Sequence, residues 1–232
     1  MELELCVASL EAARLASRLP VQRIETCVAL EQGGLTPTPG MVSWIHNTFH
    51  ELEQHVLIRQ RAGGFHYSYD EVVVMRNDIL EFQRLGVKGV VIGALTADKN
   101  LDKDALGALQ RAAGNMDLTF HRAFDEVSNW KTTMDQLVNM GFKRILTSGQ
   151  ATSVNEGLAT LEEMVGYANG RIEIMAGGGV RANNIQAVRQ TGVAAIHFSG
   201  TSSQAIDAES RFSTVISKVD ESLIREMLDV VL

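Results

Sequence analysis

No stretch of this chain approaches the roughly 18 consecutive apolar residues of a membrane span, so a membrane is not among its expected partners. The opening residues, Met1 to Cys6, have no basic start before an apolar core, which gives the expectation of a cytoplasmic protein. Proline is scarce, with three in 232 residues, and there is no Ser-rich or Gly-Ser run. With no flexible linker, the chain reads as one domain over 1–232. Only two cysteines are present, Cys6 and Cys27. That is too few for a disulfide scaffold or a tetrahedral thiolate cage for zinc, and in a reducing compartment they are expected as thiols. Basic residues are outnumbered, giving a net charge of −7, and no Lys/Arg cluster is interleaved with aromatics. Nucleic acid is therefore excluded as an expected partner. What is present, 45% hydrophobic and 21% charged residues, suits a soluble chain long enough to bury a full core.

Hydrophobic periodicity then gives a repeating order. Leu3, Leu5 and Val7 alternate with Glu4 and Cys6 as a strand, and Ser9 caps a helix over 10–19. Ile24, Thr26 and Val28 alternate with Glu25 and Cys27, and a Gly/Pro-rich loop over 31–40 leads to a helix over 41–51. Further strands are expected at 55–61, 89–95, 116–123, 144–149, 171–176 and 194–200. Helices are expected at 69–85, 101–113, 128–140, 153–168, 182–190 and 221–232, while the polar segment 201–220 carries no assignable pattern. Every connection is long enough for a right-handed crossover and none reads as a hairpin. Eight such units predict an α/β fold, a single closed (β/α)8 TIM barrel, ahead of an open doubly wound sheet.

In that fold the strand C-terminal ends converge on one face. The polar residues there are Glu4, Cys6, Glu25, Cys27, Arg59, Arg61, His121, Arg122, Thr147, Ser148, His197 and Ser199. Cys6 and Cys27 occupy matching places in two Glu-x-Cys strands, so their sulfurs could meet over one small soft ion. Cu(I) accepts two sulfurs, and the alternative is that both cysteines pack as small hydrophobes. Glu4 and Glu25 are expected to face Arg59 and Arg61. Either these ions pair among themselves, or Arg59, Arg61 and Arg122 hold a small anionic ligand while Glu25 or His121 moves protons. Ser148 and the Gly177-Gly178-Gly179 turn, with Gly178 and Gly179 as backbone donors, complete the candidate anion site. His46 and His50, four apart on a helix, read as a solvated face.

Several motifs resemble the CutC copper-homeostasis protein family from about Glu2 to Gly200. They are Arg23-Ile24-Glu25-Thr26-Cys27, Glu31-Gln32-Gly33-Gly34-Leu35-Thr36-Pro37, Thr119-Phe120-His121-Arg122-Ala123-Phe124-Asp125, Leu146-Thr147-Ser148-Gly149 and Ile174-Met175-Ala176-Gly177-Gly178-Gly179-Val180-Arg181. The resemblance implies a TIM barrel, a cytosolic role in copper handling, and Cys6 and Cys27 as Cu(I) ligands. The segment Arg59-Gln60-Arg61-Ala62-Gly63-Gly64-Phe65 departs from it by lacking the usual proline and acidic residue, and 201–232 is a divergent tail with a closing helix. The leading expectation is a Cu(I)-binding barrel with copper as cofactor or cargo. The alternative is an enzyme acting on a small anionic or phosphorylated substrate, and a third is a non-catalytic scaffold. A homodimer is expected from barrel habits.

Overall fold

The computed structural model describes residues 1–206, 209–211 and 214–231. Eight parallel strands close in chain order, β1 (Glu2–Val7), β2 (Arg23–Thr26), β3 (Glu53–Leu57), β4 (Gly89–Ile92), β5 (Asp117–Phe120), β6 (Arg144–Thr147), β7 (Glu173–Ala176) and β8 (Ala195–Phe198). The ring is completed by parallel pairing of β1 with β8, Glu4 lying opposite His197. Helices α1 (Leu10–Ala16), α2 (Pro39–Thr48), α3 (Tyr69–Leu85), α4 (Lys103–Ala113), α5 (Trp130–Asn139), α6 (Val154–Ala168) and α7 (Ile185–Gln190) connect successive strands. This is the (β/α)8 barrel that the repeating pattern predicts. No helix among the described residues is long and apolar enough to cross a membrane.

The strand alternation splits the interior in two. Outward residues such as Leu5, Ile24, Val56, Ile92, Phe120, Ile145 and Ile196 form one apolar layer with Ala13, Ile45, Ile79, Leu109, Leu137 and Leu161 of the helices. Each large aliphatic side chain buried there contributes roughly 1.5–3 kcal/mol, so this layer carries most of the fold. The inward residues are different. Arg23 and Arg144 are among the largest fully buried side chains, and Glu4, His55 and Thr119 are buried with them.

Local chemistry fixes where elements begin and stop. Helix α3 matches its expected span because Ser68 and Glu71 form a reciprocal capping box and Gly86, at φ 83°, ends it in the left-handed region. Helix α2 begins earlier than expected, because Pro39 sits in its first turn with Thr38 accepting from the Met41 N–H. Strand β3 starts at Glu53 and stops at Leu57, short of the expected 61. Beyond it, the Arg59 N–H donates to Thr36 Oγ1 and the Thr36 N–H to the Arg59 carbonyl. Strand β5 stops at Phe120, where His121 caps a 3-10 turn, Arg122–Glu126.

Between the eight barrel strands every connection is a helical crossover, as expected, and the segment that carried no assignable pattern is built differently. Strand β8 is followed not by a helix but by an antiparallel pair, β9 (Thr201–Ile206) and β10 (Thr214–Val219), and then by α8 (Glu221–Val231). The pair is largely exposed and carries small polar residues on both faces, so no apolar alternation marks it. The closing helix is present over Glu221–Val231, and the last expected residue, Leu232, lies outside the described residues. Helix α8 packs so closely that a Cβ on Gly200 would stand 2.1 Å from Ile224 Cγ1.

A second close approach is sharper. A Cβ at Gly157 on α6 would lie 1.8 Å from the Ser148 carbonyl oxygen and 3.0 Å from Gly149 Cα. Neither neighbour is a side chain that could swing away. Gly157→Ala is therefore expected to destabilise the protein by about 1–3 kcal/mol through a forced backbone shift, read as a lower urea midpoint at unchanged slope.

Candidate metal and anion site at the barrel mouth

The β1–β2 register places Cys6 opposite Glu25 and Glu4 opposite Arg23, so the two Glu-x-Cys segments are displaced by one pleat rather than side by side. The Cys27 N–H donates to the Val7 carbonyl, one step beyond. The sulfurs nevertheless meet, Cys6 Sγ to Cys27 Sγ being 3.4 Å, and both thiols are free and buried. Leu57 and Val91 pack against them as an apolar floor. Gly34, at φ 84°, closes over Cys27, where a Cβ would sit 2.8 Å from Leu57 Cδ2.

Glu25 completes a group of three donors. One ligand atom each from Cys6, Glu25 and Cys27 lie within 4.8 Å of one another. The Glu25 carboxyl is buried, and its Oε2 has no hydrogen-bond partner among the described residues. Burial, reinforced by the Glu4 carboxylate and opposed by His197 and Arg23, raises Glu25 to about 7. The hydrogen bond to Cys27, then burial and the field of the carboxylates, raise Cys6 above the ordinary thiol value, so it is held protonated.

Glu4 does not face Arg59 and Arg61, as the alternation predicts. Its Oε2 accepts from Arg23 Nε, and its Oε1 is paired with His197 Nδ1 at 2.7 Å. Burial alone would raise Glu4, but the hydrogen bond and charge of His197, with the charge of Arg23, outweigh it and hold the carboxyl at about 2. Burial alone would lower His197, but Glu25 and the hydrogen bond to Glu4 outweigh it and raise the imidazole.

Above this floor opens a cavity of about 350 Å³, lined by Cys6, Glu25, Cys27, Arg59, His121 and Arg122 among others. His121 Nδ1 accepts the Ala123 N–H at 3.1 Å, which leaves the ring proton on Nε2. Burial first, then the Arg59 charge, pushes His121 down to about 3, so the ring is neutral. A Cβ on Gly93 would lie 2.4 Å from its Cε1, so the ring is seated against bare backbone. His121 thus offers a fixed N–H donor whose Nε2 has no partner among the described residues.

The arginines divide. Arg59 lines the cavity, but its guanidinium donates to the carbonyls of Gln32, Gly34 and Gly63 at 2.8–2.9 Å, clamping two loops. Arg61 lies outside the cavity lining, paired with Glu71 and bonded to the Gly64 and His66 carbonyls, because β3 ends before it and alternation no longer sets its direction. Arg122 lines the cavity, held by Asp125 at 2.8 Å and the Ser148 hydroxyl at 2.8 Å. Ser148 is spent inside this network and does not line the cavity.

Gly178 and Gly179, at φ 107° and 80°, line the rim, and a Cβ on Gly178 would stand 2.9 Å from Arg122 Cζ. Three contributors escape the sequence reading. Asp125 accepts from Arg122, the Thr147 and Ser148 hydroxyls, and the Ser148 and Gln150 N–H groups, organising the β5 and β6 exits. Phe65 packs on His121 at 4.9 Å between ring centroids. Arg181 lines the rim. Its only sequence signal is that it closes the Gly177 to Arg181 motif. His46 and His50 join no three-donor group among the described residues.

Comparison with known proteins agrees with this architecture. The model of the CutC family matches residues 1–203. A family protein CutC from Glaesserella parasuis is 44% identical over 200 residues, covering 86% of this chain and 82% of that protein. A copper homeostasis protein cutC homolog from Caenorhabditis elegans is 37% identical over 185 residues, covering 80% and 74%. The crystal structure of a CutC protein from Streptococcus agalactiae superposes with a TM-score of 0.80 at 37% identity, over 85% of this chain and 97% of that one. A closed barrel with paired thiols at its mouth, matched in sequence over most of its length to proteins of one family, places this chain in the CutC family.

Proposed function

We propose that the protein is a cytosolic Cu(I)-binding member of its family, taking copper as cargo between Cys6 and Cys27. The observation that carries this reading is the pair of free thiols 3.4 Å apart at the floor of an open cavity. Two soft sulfurs with one carboxylate are too few and too mixed for a tetrahedral zinc site, and suit a soft ion of low coordination number. The raised His197 beside Glu25 offsets the negative charge that a bis-thiolate complex leaves behind.

An anaerobic Cu(I) titration against a competing chelator tests the reading with the parent, Cys6→Ser and Cys27→Ser. The parent is expected to bind one equivalent, and each variant to bind at least about 100-fold more weakly. Equal binding by all three overturns the copper site. The cavity's occupant is then a small anionic substrate, a reading favoured by the Glu25 carboxyl poised at about 7 opposite the neutral His121 donor.

A further inference from the structure

The cavity is not built for a bare cation. Its volume of about 350 Å³ is that of a small-molecule pocket, whereas a single water occupies roughly 30 Å³ of liquid. In a chain of net charge −7, its lining nevertheless gathers Arg59, Arg122 and Arg181. Of these, only Arg122 is paired with a carboxylate among the described residues. Arg59 is buried, its two terminal nitrogens donating to carbonyl groups that leave its positive charge uncompensated, and its Nε has no hydrogen-bond partner among the described residues. Beside it, the buried His121 Nε2–H has no acceptor among the described residues. The soft donors lie at the floor, and the cations and the unpaired donor line the walls and rim. A lone Cu(I) ion would be repelled by such a rim, while an anion is drawn in and oriented.

Cu(I) favours thiolate donors, so in a thiol-containing solution it travels as a thiolate complex. Resting on the copper reading above, we propose that the cargo enters as an anionic Cu(I) complex of a small carboxylate-bearing thiol. The thiol's carboxylate tail docks on Arg122, Arg181 and His121 Nε2–H, in the field of Arg59, while its copper faces Cys6 and Cys27. The transfer is a ligand exchange with copper remaining Cu(I). Two bonds from copper to the donor sulfurs break and two to the cysteine sulfurs form. The two cysteine S–H protons pass to the departing thiolates, which leave as neutral thiols. No electron moves and no proton is released.

Stopped-flow copper transfer to the intact protein tests this with two donors, Cu(I)–glutathione, with carboxylate tails, and Cu(I)–cysteamine, with a cationic tail. The readout is the ratio of the two transfer rates, parent against Arg181→Glu, Arg181 being exposed and outside the packed core. The parent ratio is expected to favour glutathione, and the substitution to lower that ratio at least about 10-fold, with the preference fading as salt rises. An unchanged ratio, with the parent still binding Cu(I) at equilibrium, overturns the anionic-complex proposal and leaves the thiol site standing. A parent that binds no Cu(I) at equilibrium overturns the thiol site and this proposal together.

Discussion

Glu4→Ala is expected to lower the unfolding free energy by about 3–5 kcal/mol at pH 7, the largest stability loss of any single substitution considered for the barrel interior. Glu4 is fully buried, and its two oxygens serve Arg23 and His197 separately. Without it, Arg23 retains Glu2, itself half exposed, and Glu53 at 3.8 Å, so a buried guanidinium loses its one buried counter-charge. The sign with pH follows from the carboxyl's descent from 4.5 to about 2 in the folded protein. A depressed carboxyl contributes stability that is complete above about pH 4.5 and is lost as pH falls through about 2. The parent and Glu4→Ala should therefore differ most above pH 5 and converge toward pH 2. Urea midpoints at pH 7 and pH 3 check this, and an equal gap at both values sinks the ion-pair account.

Glu25→Gln carries the opposite sign. Glu25 rises from 4.5 to about 7 on folding, so its neutral form is the one the fold accommodates. Its contribution is complete below about pH 4.5 and is lost as pH climbs through about 7. Above that, folding has to carry a buried carboxylate, and the amide does not impose that cost. The shift corresponds to about 3 kcal/mol, so Glu25→Gln should be more stable than the parent by up to that amount at pH 8 and nearly equal to it at pH 4. Chemical denaturation at the two pH values decides it, and a variant less stable than the parent at pH 8 refutes the burial argument.

Much of this was legible from residue order alone. Alternation in the strands, and the caps of α3, made the barrel readable, because each is a local rule with a physical cause. The cysteine pair was readable for the same reason, although its register was not. The one-pleat displacement between β1 and β2 comes from the stagger that closes a barrel, which no single strand records. Arg23 escaped notice as the partner of Glu4 because that pairing depends on the same stagger. Arg61 was assigned to the mouth by extending strand alternation past Leu57, where the strand has already ended. The β9–β10 pair left no trace because polar and apolar residues mix on both of its faces and none is deeply buried, so no period is imposed.

The buried ions inside the barrel have a consequence for traffic. Arg23 with Glu2, Glu4 and Glu53, and Arg144 with Glu173 and Thr119, occupy the end of the barrel away from the thiols. Together they act as a stopper, and opening a passage through it would require several charges to part at once. Among the described residues the thiols are reached through the cavity at the barrel mouth, so on the copper reading proposed above loading and unloading would share that entrance and could not run as a through-flow.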